Sequence, residues 1–125
     1  MKLQRGFVWL FALLLLFTAG ACAKSGNNGS VEQKAWELIN NGALLVDVRT
    51  KEEYDAGHLE GALLIPYDQI PERLAEFGDD KNRPIVVYCR SGKRAGVAER
   101  TLREAGFTNV LNAGGYEAMK AAKPK

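Results

Sequence analysis

From Ser30 onward the chain alternates short, almost continuously apolar runs with helical patterns. The apolar runs are Leu44–Val48, Ala62–Ile65, Ile85–Tyr88 and Asn109–Leu111. A strand with one face in water reads apolar on every second residue; these do not, so both of their faces need cover. Helices placed between consecutive strands supply that cover when the strands run parallel. The pattern predicts an α/β fold: a small, open, mainly parallel β-sheet flanked by helices. Roughly 95 residues from Ser30 to the end suit one modest core, and no repeat or second domain is visible.

The elements follow from local chemistry. Ser30 with Gln33 three residues later is a capping box for a helix running to about Asn40, and Asn41-Gly42 stops it. Lys51–Ala56 reads as a short helical turn. Asp68–Phe77 reads as a helix, with Pro71 tolerated only in its first turn. Ala95–Ala105 is the clearest helix: Ala95, Ala98, Leu102 and Ala105 share a face, and Gly106 supplies the stop. Ala113-Gly114-Gly115 reads as a turn before a terminal helix, Tyr116–Ala122.

The first residues are different in kind. Lys2 and Arg5 precede an uncharged stretch from Gly6 to Ala23, apolar at its centre and small at its end. That order is expected of a secretory signal sequence over residues 1–21, and the strongly apolar part is shorter than the roughly 20 residues a membrane span needs. Two processing routes meet at one bond. Ala19-Gly20-Ala21 satisfies the small-x-small rule of ordinary signal peptidase, while the same segment is similar to a bacterial lipobox with Cys22 as the lipidated residue. It departs from the lipobox in having Ala19 where Leu is usual. Residues 22–29 form a polar tether, and residues 30–125 the single domain. The expected location is the periplasm or cell envelope, with membrane attachment, where it occurs, through Cys22.

Removing residues 1–21 takes away two of the 17 basic residues and none of the 15 acidic ones, leaving no formal net charge. Nothing then favours nucleic acid as a partner, and any attraction for an anion has to be local. Of the two cysteines, Cys22 is spent at the cleavage site. Cys89 is left unpaired in an oxidising compartment, where an odd cysteine is a candidate reactive thiol.

Cys89 ends a β run and opens Cys89-Arg90-Ser91-Gly92-Lys93-Arg94, directly before a helix. In open parallel sheets, ligands bind beyond the carboxyl ends of the strands. Backbone N–H groups at a helix start, with three cations nearby, favour a thiolate, which is the nucleophilic form. Gly92 permits backbone angles that a side chain resists, so the loop can curl its amides into an anion-binding nest. Ser91 adds a hydroxyl, and Arg90, Lys93 and Arg94 add charge. Arg94, if on the first helical turn, can instead pair with an acidic neighbour.

Spacing sorts the anions. A tyrosine-phosphatase-like loop places five residues between Cys and Arg; here four separate Cys89 from Arg94, and Tyr88 stands where that pattern has His. A Cys-x-x-Cys redox motif is absent. Cys89 and His58 alone are too few for a metal site, and no cofactor is expected.

At this point the chain resembles the rhodanese family of sulfurtransferases, in particular its small single-domain exported members, over roughly Ser30 to Ala121. Two blocks carry the resemblance. One is Leu45-Val46-Asp47-Val48-Arg49 with Glu53-Tyr54, then Gly57-His58-Leu59-Glu60-Gly61-Ala62 and Ile65-Pro66. The other is Ile85–Cys89 with its loop, then Ala95, Ala98, Leu102, Gly106-Phe107, Val110 and Gly114-Gly115. The resemblance implies that Cys89 takes a sulfane sulfur from thiosulfate or a related small anionic donor and holds it as a persulfide. Cyanide, a thiol or a protein thiol then accepts it. It also implies that Arg90, Ser91, Gly92, Lys93 and Arg94 bind the substrate, and that a six-residue loop goes with sulfur where a longer one goes with phosphate.

Other residues carry structural expectations. Asp47, Arg49 and Glu53 are expected to form one ion network, His58 to tie a loop together rather than act as a base, and Trp36, Tyr54 and Phe107 to be core or rim aromatics. Glu99 and Glu104 are expected on a solvated helix face. A monomer is expected. The competing function is a non-catalytic or redox-relay module that docks a partner protein and merely keeps the cysteine.

Overall fold

The computed structural model describes residues 29–125. The signal sequence, Cys22 and the tether up to residue 28 lie outside the described residues. Four strands, β1 (Leu44–Asp47), β2 (Leu63–Leu64), β3 (Ile85–Cys89) and β4 (Val110–Gly115), form one sheet in the order β2-β1-β3-β4. Every pairing is parallel, as the unbroken apolar runs require. The helices are α1 (Val31–Asn40), α2 (Lys51–Ala56), α3 (Lys93–Glu104) and α4 (Tyr116–Ala121). No described helix is long and apolar enough to cross a membrane.

The alternation of side chains along β3 divides the core. Ile85, Val87 and Cys89 face a cluster completed by Val46, Val48, Phe77, Ala95, Ala98 and Leu102. Val86 and Tyr88 face the opposite cluster, with Ala35, Trp36, Leu45 and Met119. All five residues of β3 are buried. Alanines at 95 and 98 let α3 approach the sheet closely, and burying Leu102 beside them contributes roughly 1.5–3 kcal/mol. A 2.8 Å hydrogen bond from the Trp36 indole N–H to the Met119 carbonyl ties α1 to α4 on the other face.

The predicted caps are present. Ser30 Oγ accepts from the Gln33 amide, and Gln33 Oε1 accepts from the Ser30 amide, at 3.2 and 3.1 Å. After α3, Gly106 adopts φ 102° and its amide reaches the Arg103 carbonyl, while the Phe107 amide reaches Leu102. These two bonds satisfy the last carbonyls of the helix.

Two expectations fail on backbone geometry. The segment read as one helix over Asp68–Phe77 is two 3-10 turns, Tyr67–Glu72 and Leu74–Phe77, broken at Arg73. Pro71 is the fifth residue of the first turn; it offers no N–H there and disfavours helical angles at Ile70. Buried Ile70 and Phe77 are what hold the segment to the core. The second failure is at Ala113-Gly114-Gly115, which belongs to β4 rather than to a turn. Val87 pairs with Asn112 and Cys89 with Gly115, so three steps along β4 match two along β3. Gly114, at φ 90°, takes up the extra residue as a bulge.

Candidate active site

β3 carries Cys89 to the carboxyl edge of the sheet, where α3 begins four residues later. Helix α3 starts at Lys93, two residues before the sequence pattern indicates, because Gly92 serves as its N-cap in the left-handed region, φ 98°. Glycine has no side chain with which to cap. Cys89 Sγ does so instead, accepting the Gly92 amide at 2.9 Å and the Ala95 amide at 3.4 Å. The sulfur therefore sits at the positive end of the helix with two N–H donors directed at it.

The loop fits only because its neighbours lack side chains. A Cβ at Gly115 would lie 2.4 Å from the Arg90 carbonyl oxygen, and one at Gly92 would lie 3.3 Å from Gly114 Cα. Asn112 then locks the two segments together. Its Nδ2 donates to the Gly92 carbonyl at 2.9 Å, and its Oδ1 accepts the Gly114 amide at 2.8 Å. Sequence reasoning missed Asn112. The signal it offered was a polar residue inside an apolar strand, immediately before the residues that form the bulge.

The three loop cations separate. Arg94 makes a two-pronged pair with Glu53, at 2.8 and 3.0 Å. Glu53 also accepts the Thr50 amide and hydroxyl, so the capping box of α2 grips the first turn of α3. The Arg94 guanidinium holds the Glu53 carboxyl down at about 2, against the opposing effect of burial and with help from Thr50. Arg94 is itself pushed up by Glu53 first, and its charge is further favoured by the neighbouring Cys89. Arg90 and Lys93 are exposed and form no ion pair among the described residues. Ser91 is exposed at the loop tip. Cys89 itself has no exposed surface.

The ion network expected of Asp47, Arg49 and Glu53 has a different third member. Asp47 and Arg49 are buried together, with Arg49 Nη2 2.7 Å from Asp47 Oδ2. The Arg49 guanidinium also donates to the Gly57 carbonyl at 2.7 Å. Tyr88 takes the place foreseen for Glu53: its hydroxyl donates to Asp47 Oδ2 at 2.8 Å and accepts the Leu59 amide at 3.0 Å. Burial, aided by the Asp47 carboxylate, pushes the Tyr88 phenol far up, so it remains a donor. Burial works against the charge of Arg49, but Asp47 more than offsets it. Glu53 is drawn away because the α2 capping box points it at Arg94.

His58 is exposed, stacks on Tyr54 at 3.7 Å between ring centroids, and donates from Nδ1 to the Tyr54 carbonyl at 2.8 Å. It ties the loop after α2 and makes no contact with Cys89. Trp36 and Phe107 are core residues, and half-buried Tyr54 bonds the Ala62 carbonyl through its hydroxyl at 2.7 Å. Glu104 is exposed, and half-buried Glu99 pairs with Arg103.

Beside the loop lies an open cleft of about 350 Å3, lined among others by Arg49, Glu53, Gly57, Arg90, Tyr116 and Glu117. Arg90 and Tyr116 directly follow the paired residues Cys89 and Gly115 in the chain, so the cleft borders the start of the cysteine loop, although Cys89 itself does not line it. The whole arrangement can hold a sulfur anion on two amides and bring an anionic reactant to it through Arg90 and Lys93.

Comparison with known proteins bears on this geometry. The family described as "Rhodanese-like domain" matches residues 31–122. Thiosulfate sulfurtransferase PspE of Escherichia coli is 41% identical over 80 residues, covering 64% of this chain and 77% of the relative. A sulfurtransferase of Allochromatium vinosum is 44% identical over 69 residues, 55% of this chain and 63% of the relative. The match also extends to a tRNA uridine(34) hydroxylase of Photorhabdus laumondii, 35% identical over 74% of this chain, although the chain spans only 28% of that protein. Among solved structures, the human single-domain sulfurtransferase TSTD1 superposes with a TM-score of 0.64 at 30% identity, covering 74% of this chain and 93% of that one. A structure described as rhodanese with anions from E. coli gives 0.61 at 40% identity, covering 66% and 95%.

Proposed function

Since the chain belongs to the rhodanese-like domain family, whose members here include named sulfurtransferases, we propose that it moves a sulfane sulfur through a persulfide on Cys89. The observation that carries this reading is the pair of amides, Gly92 and Ala95, both donated to Cys89 Sγ at the start of α3. Two N–H donors aimed at one sulfur stabilise negative charge as it develops there during transfer, and the persulfide anion that follows.

In the first step the Cys89 thiolate attacks the outer sulfur of thiosulfate. A bond forms between Sγ and that sulfur, the donor's S–S bond breaks, and its electron pair leaves with sulfite. Arg90 and Lys93 are the loop cations available to the donor's sulfonate, since Arg94 is engaged by Glu53. Ser91 and Gly92 complete the loop around the transferred sulfur. In the second step cyanide or a thiol takes the sulfur, and Sγ leaves as the thiolate, giving ping-pong kinetics. Mass spectrometry of the purified domain after thiosulfate treatment is expected to show one added sulfur, removed by cyanide and absent in Cys89→Ser. An adduct that persists in Cys89→Ser rejects the mechanism.

One observation favours a second reading. Cys89 is fully buried, as a cysteine kept only for packing would be, and a partner-docking module would then need no thiol chemistry. That reading predicts partner capture by Cys89→Ser equal to wild type and no sulfur loading of either protein.

The proposal includes export, with residues 1–21 removed and the domain working in the cell envelope, as a monomer. Intact mass of the membrane fraction, with and without Cys22→Ser, separates lipidation at Cys22 from ordinary cleavage after Ala21.

A further inference from the structure

The cleft beside Cys89 is larger than the assay substrates require. Its volume of about 350 Å3 is room for on the order of ten waters, whereas cyanide has two atoms and thiosulfate five. It is also supplied with donors that nothing among the described residues uses. Arg49 is only 5% exposed and lines the cleft, yet the hydrogen bonds of its side chain run from Nε and Nη2, and Nη1 has no partner among the described residues. The Tyr116 hydroxyl likewise has no partner among the described residues, although it stands where a Cβ on Gly57 would come within 2.8 Å of it. The Arg49 guanidinium lies over the Tyr116 ring, 4.6 Å from its centroid, so these two donors share one wall. Arg90 lines the same cleft without an ion pair among the described residues.

Charge bookkeeping picks the ligand's sign. Arg49 is balanced by Asp47, Glu53 by Arg94, and Glu117 by Lys120 at 3.5 Å. The positive charge left over belongs to Arg90. Two guanidinium groups and a phenol, all with free N–H or O–H, suit a carboxylate.

We infer that this cleft is the acceptor subsite and that it selects an organic thiol bearing a carboxylate. This deepens the sulfurtransferase reading and rests on it. The thiolate of such an acceptor attacks the outer sulfur of the Cys89 persulfide. A new S–S bond forms on the acceptor, the Sγ–S bond breaks, and its electron pair returns to Sγ, where the Gly92 and Ala95 amides receive it. The proton that the acceptor thiol gives up in forming its thiolate is taken by the outer sulfur of the persulfide anion and stays on the transferred sulfur, so no outside oxidant or reductant takes part. The acceptor's carboxylate, held by Arg49, Arg90 and Tyr116, keeps its sulfur beside the loop.

The test uses the sulfur-loaded full domain and follows its discharge by 3-mercaptopropionate, 2-mercaptoethanol and cysteamine, compared at equal thiolate concentration. The expected order is anionic, neutral, cationic, with the first step of that order on the order of tenfold and shrinking as salt is raised. Ala56, exposed on the cleft rim, provides variants that leave the core intact. Ala56→Asp is expected to erase the preference for mercaptopropionate and Ala56→Lys to enlarge it, with discharge by mercaptoethanol unchanged in both. Equal discharge by all three thiols overturns the inference. So does an Ala56→Asp variant that loads poorly from thiosulfate but discharges like wild type, since the cleft would then belong to the donor. Failure of thiosulfate to load any sulfur overturns the sulfurtransferase reading and this one together; loading followed by charge-blind discharge overturns this one alone.

Discussion

Two neighbouring parallel strands, β1 and β3, end at the same edge of the sheet, and each delivers charged side chains there. After β1 the charge is consumed internally. Asp47 is enclosed by the Arg49 guanidinium and the Tyr88 hydroxyl, with both partners of the ion pair buried. After β3 the charge is left available: Arg90 and Lys93 are exposed without ion pairs among the described residues, and Cys89 Sγ holds two amides. The β1 end is spent on internal support, and the β3 end is the candidate site. Arg94 belongs with the first kind despite lying in the second, because Glu53 captures it. Position in a cationic loop is therefore a poor guide to role; what decides it is whether a carboxylate is within reach.

The comparison can be broken at the support. Asp47→Ala leaves the Arg49 charge buried without its partner, and is expected to cost about 3–5 kcal/mol of stability. For a domain of this size that is a fall in Tm of more than about 10 °C, read by thermal denaturation. An unchanged Tm would mean that the β1 end is no more committed to structure than the β3 end.

At the site the expected effects are smaller and kinetic. Arg90→Ala and Lys93→Ala are each expected to raise KM for thiosulfate roughly tenfold, about 1.4 kcal/mol, with Tm nearly unchanged. Arg94→Ala should do the reverse, losing stability with little change in donor KM. Steady-state kinetics and melting on the three variants test the division of the cations directly.

The smallest effect concerns pH. Glu53 is held at about 2, below its ordinary value of 4.5, so its pair with Arg94 stabilises the fold fully above about pH 4.5. That contribution is lost as pH falls toward 2. Wild type and Glu53→Gln should therefore differ in urea midpoint at pH 6 and converge only as pH falls below about 2. A constant difference across that range would show that the Arg94–Glu53 pair contributes nothing to stability.

Much of the fold was legible because its cues are local. Ser30 and Gln33 announce their own cap, Gly106 its own stop, and Ile85–Tyr88 the need for cover on both faces. The cysteine loop was legible for the same reason, since Cys89, Gly92 and the cations are adjacent in sequence. Pro71 was misjudged because its cost depends on where the turn around it begins. The partner of Glu53 was misassigned because Arg94 lies 41 residues away. Asn112 passed unnoticed because its partners, Gly92 and Gly114, meet it only through a bulge.

By itself, the sequence determined a parallel α/β layer and a thiol at a strand-to-helix turn, because periodicity, capping and loop length are properties of neighbouring residues. Only the tertiary structure decided which cation stays free, which carboxylate takes Tyr88, and which donors open into the cleft. Those outcomes turn on hydrogen bonds a few ångströms long between strand ends far apart in the chain, and no local pattern encodes them.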